Sequence, residues 1–169
     1  MHALVSAIAI AWNRNGAYGL RLIEDLSARD WLAQPDGVRG SARLNHPAWI
    51  FSHLNLYHPI CEALLRGEPI EDPIEHRFGP RSVLSDDVAD FAPPESLRAG
   101  FERGHERVIA ALRAAEDGDL GAPTPVVRWA CLYPTVGDLL LTLMVKHESH
   151  HLGQLSAWRR VRGLPRVQM

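Results

Sequence analysis

Apolar residues recur at helical intervals in four long stretches of the chain, and no set of segments keeps the strict alternation of strands. The first stretch, residues 2–26, places Leu4, Ile8, Ala11, Trp12, Tyr18, Leu22 and Leu26 near one face. Gly16 and Gly19 weaken it locally, and a short turn holding Trp31 and Leu32 ends at Pro35 and Asp36-Gly37. The second opens at Asn45-His46-Pro47, a capping residue and an early proline, and closes before Gly67. Its apolar side is Trp49, Ile50, Leu56, Tyr57, Ile60 and Leu64. Pro59 removes one helical donor, which predicts a kink near Asn55 or a helix in two pieces. The third, residues 95–116, carries Leu97, Phe101, Val108 and Leu112 on one stripe before the stop signals Gly118 and Gly121. The fourth begins at Thr135, with Asp138 completing an Asp variant of the capping box, and runs to Arg162 ahead of Gly163 and Pro165.

Helices of about 20 to 28 residues are about 30 to 42 Å long, the dimension of a four-helix bundle. Residues 68–94 hold Pro69, Pro73, Gly79, Pro80, Pro93 and Pro94 without a sustained period, and a connection of that length reads as a lid or a crossover. A second proline-rich loop follows the third helix. The predicted fold is all-α: one four-helix bundle domain over residues 1–169, with a long crossover connection between helices 2 and 3.

Composition adds exclusions. At 169 residues and 46% hydrophobic content the chain can bury a sizeable core without disulfides. Eighteen Lys plus Arg against twenty Asp plus Glu give a formal charge of −2, which supplies no general field for nucleic acid or an anionic membrane. Arg159, Arg160, Arg162 and Arg166 make the tail locally basic, as a helix C-terminus favours by its dipole alone. No apolar run approaches the roughly 20 residues of a membrane span. The apolar segment 3–12 lacks a basic flank and a cleavage site, so it reads as mature protein. Cys61 and Cys131 form no C-x-x-C pair and read as buried free thiols in a reducing cytoplasm.

The unusual count is nine histidines. His147 and His151, four residues apart, leave one face of the fourth helix, on the stripe of Leu140, Leu143, Met144, Leu155 and Trp158. On the second helix His53 likewise interrupts Trp49, Leu56, Tyr57 and Ile60. Three imidazoles then point from two helices into one bundle, and buried imidazoles need partners. These three are the candidate metal ligands. His105 shares the inner stripe of the third helix and is a reserve ligand, His46 reads as a cap, and His150 flanks the site or faces solvent. His2, His58 and His76 lack helpers and receive no function.

Residues 147–151 also satisfy H-E-x-x-H, but no Asp, Glu or His follows His151 as the third ligand a metallopeptidase uses. A di-iron carboxylate bundle is a further alternative, with Glu102-x-x-His105 and Glu148-x-x-His151 as ligand pairs and Glu24 and Glu62 in reserve. Against it, the two pairs fall on consecutive helices.

Trp49-x-x-x-His53, the long crossover, Gly137-Asp138-Leu139-Leu140 and His147-x-x-His150-His151-Leu152-Gly153-Gln154-Leu155 together resemble the DinB-like family of metal-binding four-helix bundles. The resemblance implies an ion held by three histidines, here His53, His147 and His151. It also implies kinship with transferases that use low-molecular-weight thiols such as bacillithiol or mycothiol, and with metal-dependent hydrolases. Three neutral imidazoles on a divalent ion leave an open coordination position where a thiol or water is activated. Zn is the expected ion, and Ni, Fe or Mn also suit. The leading expectation is a metal-dependent thiol S-transferase of detoxification or stress response, acting on a small molecule with a low-molecular-weight thiol as cosubstrate. Gln154, one turn past His151, is a candidate catalytic or supporting group, and Glu148 a candidate base that also suits a solvated salt bridge. The rivals are a hydrolase and a non-enzymatic, metal-stabilised binding protein. The apolar flank Ala7, Ile10 and Ala17 suits a homodimer face.

Overall fold

The computed structural model describes residues 3–35 and 43–168. His2 and the Asp36-Gly37 turn signal therefore lie outside the described residues. Four long helical segments carry the fold: α1 (Ala3–Ile23), α2 (Pro47–Leu65), α3 (Pro94–Ala114), and a last helix built of α6 (Val136–Leu140), a π-helical stretch (Leu141–His147) and α7 (Glu148–Val161). Short helices α4 (Asp117–Gly121) and α5 (Val127–Ala130) break up the second proline-rich loop. No named strand occurs among the described residues, and the only pairing outside helices is an isolated bridge between Pro123 and Thr135.

Helix ends follow the local chemistry. The His46 side chain caps α2 by accepting from Trp49 N at 3.2 Å, with Pro47 in the first turn. Thr135 and Asp138 form the capping box of the last helix. Pro59 corrects the two-piece expectation: α2 runs unbroken through it, with the proline exposed on the outer side. The inner face of α1 is Val5, Ile8, Ala9, Trp12, Gly16, Gly19, Leu22 and Ile23, while Leu4 is 42% exposed, so the true stripe is shifted from the expected one. Gly16 and Gly19 are interior positions of close approach; an added Cβ would lie 2.6 Å from His105 Nδ1 and 2.9 Å from Phe101, respectively.

Direction of travel explains the long connection. Along α2 and α3, contacts advance together: Asn55 Nδ2 donates to Leu97 O, His58 lies against Gly104, and Arg107 pairs with Glu62. The two helices are therefore parallel, and the chain must return the length of the bundle between them, as residues 66–93 do. This crossover contains 3₁₀ turns at Pro73–Glu75 and Val88–Asp90 and is fastened across one face of α2. His46 Nε2 donates to Ser85 O (2.9 Å), and Trp49 Nε1 to Ser82 Oγ (3.2 Å).

Two apolar clusters fill the interior. One joins Ile8 and Trp12 to Tyr57, Leu64, Val108, Leu112, Leu139 and Met144. The other joins Leu22 to Ile50, Leu54, Leu97, Phe101, Leu155 and Trp158. Where one gives way to the other, every long helix carries small or polar residues: Gly16, His53 and His58, Gly104 and His105, and His147, Glu148 and His151. A polar layer thus crosses the middle of an otherwise apolar bundle. The basic tail is pinned at one end: Arg159, 2% exposed, forks onto Asp25 at 2.5 and 2.8 Å and also donates to Leu22 O, while Arg162 pairs with Asp30. Specific ion pairs therefore account for these two arginines beyond the helix dipole.

Candidate metal centre

The polar layer contains two separate groups of side chains. In the first, the structure brings together His53, His147 and His151, whose ligand atoms lie within 4.8 Å of one another. His147 Nε2 stands 2.9 Å from His53 Nε2 and 3.1 Å from His151 Nε2. Donor atoms of a tetrahedral ion at about 2.1 Å are separated by about 3.4 Å, so the spacing needs only a few tenths of an ångström of relaxation to fit one.

The outer nitrogens of His53 and His151 are held in a way that frees the inner ones, while His147 Nδ1 is buried without a hydrogen-bond partner. His53 Nδ1 donates to Phe78 O at 2.5 Å; a carbonyl only accepts, so the proton is on Nδ1 and Nε2 carries the lone pair. His151 Nδ1 is held by Gln154 Oε1 at 3.0 Å, and Asn45 Nδ2 donates to the same oxygen at 3.3 Å. Gln154 Nε2 reaches the exposed His150 at 3.0 Å. Gln154 is thus an orienting group for His151, of the kind that metal-binding imidazoles use. Trp49 stacks on His53 with centroids 4.7 Å apart, and the Tyr57 ring lies 4.5 Å from that of His147. Burial lowers all three imidazoles below the ordinary value, His53 to about 4, and, helped by the neighbouring rings, His147 to about 2 and His151 to about 3. Neutral imidazoles are the form that binds a metal, and the Nε2 lone pairs of His53 and His151 both face His147 Nε2. Burial also raises Tyr57 to about 12, which keeps its hydroxyl protonated.

The second group was not legible in the sequence. His58, His105 and Glu148 also present ligand atoms within 4.8 Å of one another. Glu148, expected as a base or a solvated ion-pair partner, is 1% exposed; its Oε2 accepts from His105 Nε2 at 3.1 Å and lies 3.4 Å from His58 Nε2. Burial opposes its ionisation, but the two histidines outweigh that and hold the carboxyl below its usual range. His58, expected to lack helpers, is 2% exposed, and desolvation keeps its pKa low despite Glu148. Trp12 stacks on His105 at 4.0 Å. The clue available in the sequence was the adjacent pair Gly104-His105, a small residue beside a ring on an inner stripe.

The arrangement splits the di-iron ligand pairs. Glu148 and His151 belong to different groups, Glu102 pairs with Arg98 near the surface, Glu62 pairs with Arg66 and Arg107, and Glu24 is exposed. The remaining expectations divide. Cys61 is buried, with its thiol pushed up by burial, but Cys131 is exposed, which corrects the expectation of two buried thiols. Ala7, Ile10 and Ala17 are exposed, and His76 is an exposed turn residue that accepts from Phe78 N. Among the described residues no helix is long and apolar enough to cross a membrane. A cavity of about 490 Å³ under the crossover shares Trp49 and Phe78 with the three-histidine group and is lined further by Arg77, Arg81, Ser82 and Asp90.

An all-α bundle with a buried, largely histidine-based cluster suited to a divalent ion defines a class of helical metal-binding proteins. Residues 11–155 match the DinB superfamily, and the chain belongs to that family. No curated protein and no solved structure matches it.

Proposed function

We propose that the chain is a metal-dependent enzyme of thiol S-transferase type, with His53, His147 and His151 as the ligands of a divalent ion, Zn first. The convergence of three Nε2 atoms, two of them with the opposite nitrogen already occupied by Phe78 O or Gln154 Oε1, carries this reading. When bound, the ion supplies a Lewis acid with an open position that lowers the pKa of a thiol or water. The protein's residues do the rest. Phe78 O and Gln154 fix the tautomers of His53 and His151, while Trp49 and Tyr57 wall the site. The cavity under the crossover receives the electrophilic substrate, and a carboxylate of the thiol cosubstrate or of the substrate would exchange with Asp90 and Glu75, the present partners of Arg77 and Arg81. In the transfer, the thiolate sulfur forms a bond to an electrophilic carbon, the leaving group departs with the electron pair of the broken bond, and the thiol proton passes to solvent.

The test is metal content followed by thiol titration. Protein purified without a metal-carrying tag should retain bound divalent ion, and His53→Ala and His151→Ala should each lower that content by one ion per chain. Unchanged content in both variants would refute the ligand assignment. With Co²⁺ in the site, added low-molecular-weight thiol should shift the absorption spectrum. A spectrum that responds to carboxylate analogues and not to thiols would replace the transferase with a hydrolase, and no response at all would leave a metal-stabilised binding protein.

A further inference from the structure

We propose that His58, His105 and Glu148 form a second divalent-metal site, distinct from the three-histidine group, that pins α2, α3 and α7 together at the centre of the bundle. Each long helix contributes to it. His58 comes from α2, His105 from α3 and Glu148 from α7, while α1 supplies Trp12 against the His105 ring and the gap at Gly16.

Three observations converge. The first is orphaned donor capacity: His58 Nδ1 and Nε2 and Glu148 Oε1 are buried without any hydrogen-bond partner, although such groups are nearly always satisfied in native interiors. The second is charge. Glu148 is 1% exposed, and the basic groups within 4 Å of its carboxylate among the described residues are two imidazoles, of which burial keeps His58 low in pKa, rather than a lysine or arginine. A buried carboxylate needs a counter-charge, and a dication bound between those groups supplies one. The third is space made for the rings. A Cβ on Gly104 would lie 2.1 Å from His58 Nδ1, and one on Gly16 would lie 2.6 Å from His105 Nδ1, so both rings occupy room that only glycine leaves.

Two imidazoles and a carboxylate suit a first-row divalent ion such as Zn²⁺ or Fe²⁺, and the carboxylate makes the set harder than three imidazoles, bringing Mn²⁺ within its range. Glu148 Oε1 is available as a fourth donor atom. A site closed in this way by protein atoms acts structurally rather than catalytically. The inference does not depend on the first group binding metal, because the two groups share no side chain.

The experiment is equilibrium dialysis of the full chain against Zn²⁺, with elemental analysis. The wild type should take up two ions per chain. The double variant His53→Ala/His151→Ala should keep one, and adding Glu148→Gln or His105→Asn should remove it. Co²⁺ loading of the double variant should quench Trp12 fluorescence, and Trp12→Phe should abolish that quenching. Should the triple variants not fold, anomalous scattering at the Zn edge from wild-type crystals gives the same answer, with a peak expected between His58, His105 and Glu148. Uptake of one ion by the wild type and none by the double variant, or no peak at that position, would overturn the proposal in favour of a protonated imidazole as the counter-charge of Glu148. Failure of the first group alone would show as the reverse, one ion lost to Glu148→Gln and none to His53→Ala.

Discussion

His147 and Glu148 are consecutive in the chain, yet the His147 ring joins His53 and His151 while the Glu148 carboxylate joins His105 and His58. Each helical step turns about 100°, so two adjacent side chains leave the helix in different directions. Here the last helix lies inside contacts with both α1 and α2, so two neighbouring directions are interior. The π-helical stretch Leu141–His147 ends at this junction. A wider turn shifts the register of all that follows, and such turns concentrate at functional sites.

Metal should stabilise the fold measurably. An ion that binds only the native state at a free concentration one hundred times its Kd adds about 2.7 kcal/mol. For a chain of this size that raises Tm by about 5 to 11 °C. Chelator-treated protein melted with and without Zn²⁺ should show a rise of that order, and His151→Ala should lose a large part of it. An identical rise in wild type and variant would exclude His151 as a ligand.

Gln154 should act on affinity rather than on the ligand count. Its Oε1 holds His151 Nδ1 at 3.0 Å, and loss of such an orienting group typically weakens metal binding about 10- to 100-fold. Gln154→Leu should therefore weaken Zn²⁺ binding in a competition titration with a chromogenic chelator, while saturating stoichiometry stays that of the wild type. Unaltered affinity would show that packing alone fixes the ring.

His46 should make α2 acid-sensitive. Burial holds its pKa below the ordinary 6.5 despite the bond to Ser85 O, and its Nδ1 must stay unprotonated to accept from Trp49 N. As pH falls through 6.5 the unfolded chain takes up a proton that the native ring refuses, so this contribution to stability is present near neutrality and lost toward acid. The loss approaches at most about 1.4 kcal/mol per pH unit. Asn is also a good cap and does not titrate. Denaturant unfolding of His46→Asn between pH 6.5 and 5 should give a shallower dependence than wild type, and parallel curves would remove His46 as the cause.

The three-histidine group was legible because each member replaces an apolar residue on a stripe whose period is visible in sequence. The crossover between α2 and α3 was legible too, although a connection of some thirty residues with six prolines and glycines suits a lid as well, and the parallel course of the two helices is visible only in their contacts. Glu148 was not, because a charged residue between Lys146 and Ser149 matches an outer face until the π-helical register is known. His58 was hidden by Pro59, which made that part of α2 look like a break. The interior role of Gly16 was hidden because a glycine within a helix reads as a local weakness until the ring that fills its space is located on another helix.

Glycine substitutions separate that interior role from ordinary helix propensity. Gly104→Ala places a Cβ 2.1 Å from His58 Nδ1, close to backbone-anchored atoms of a 2% exposed ring, so the ring must move or the helices must part. Overpacking of that kind costs about 1 to 3 kcal/mol. Gly153 lies on the exposed side of α7 with nothing within 4 Å of an added Cβ. There the ordinary preference of a helix for alanine over glycine should stabilise by about 0.5 to 1 kcal/mol. Denaturant midpoints should therefore shift in opposite directions for the two variants, with Gly104→Ala lower and Gly153→Ala higher than wild type. A loss at both positions would mean that Gly153 is held against something other than solvent. A gain at both would mean that α2 and α3 are not packed through Gly104 and His58, and the close approach that positions the second group of ligands would be absent.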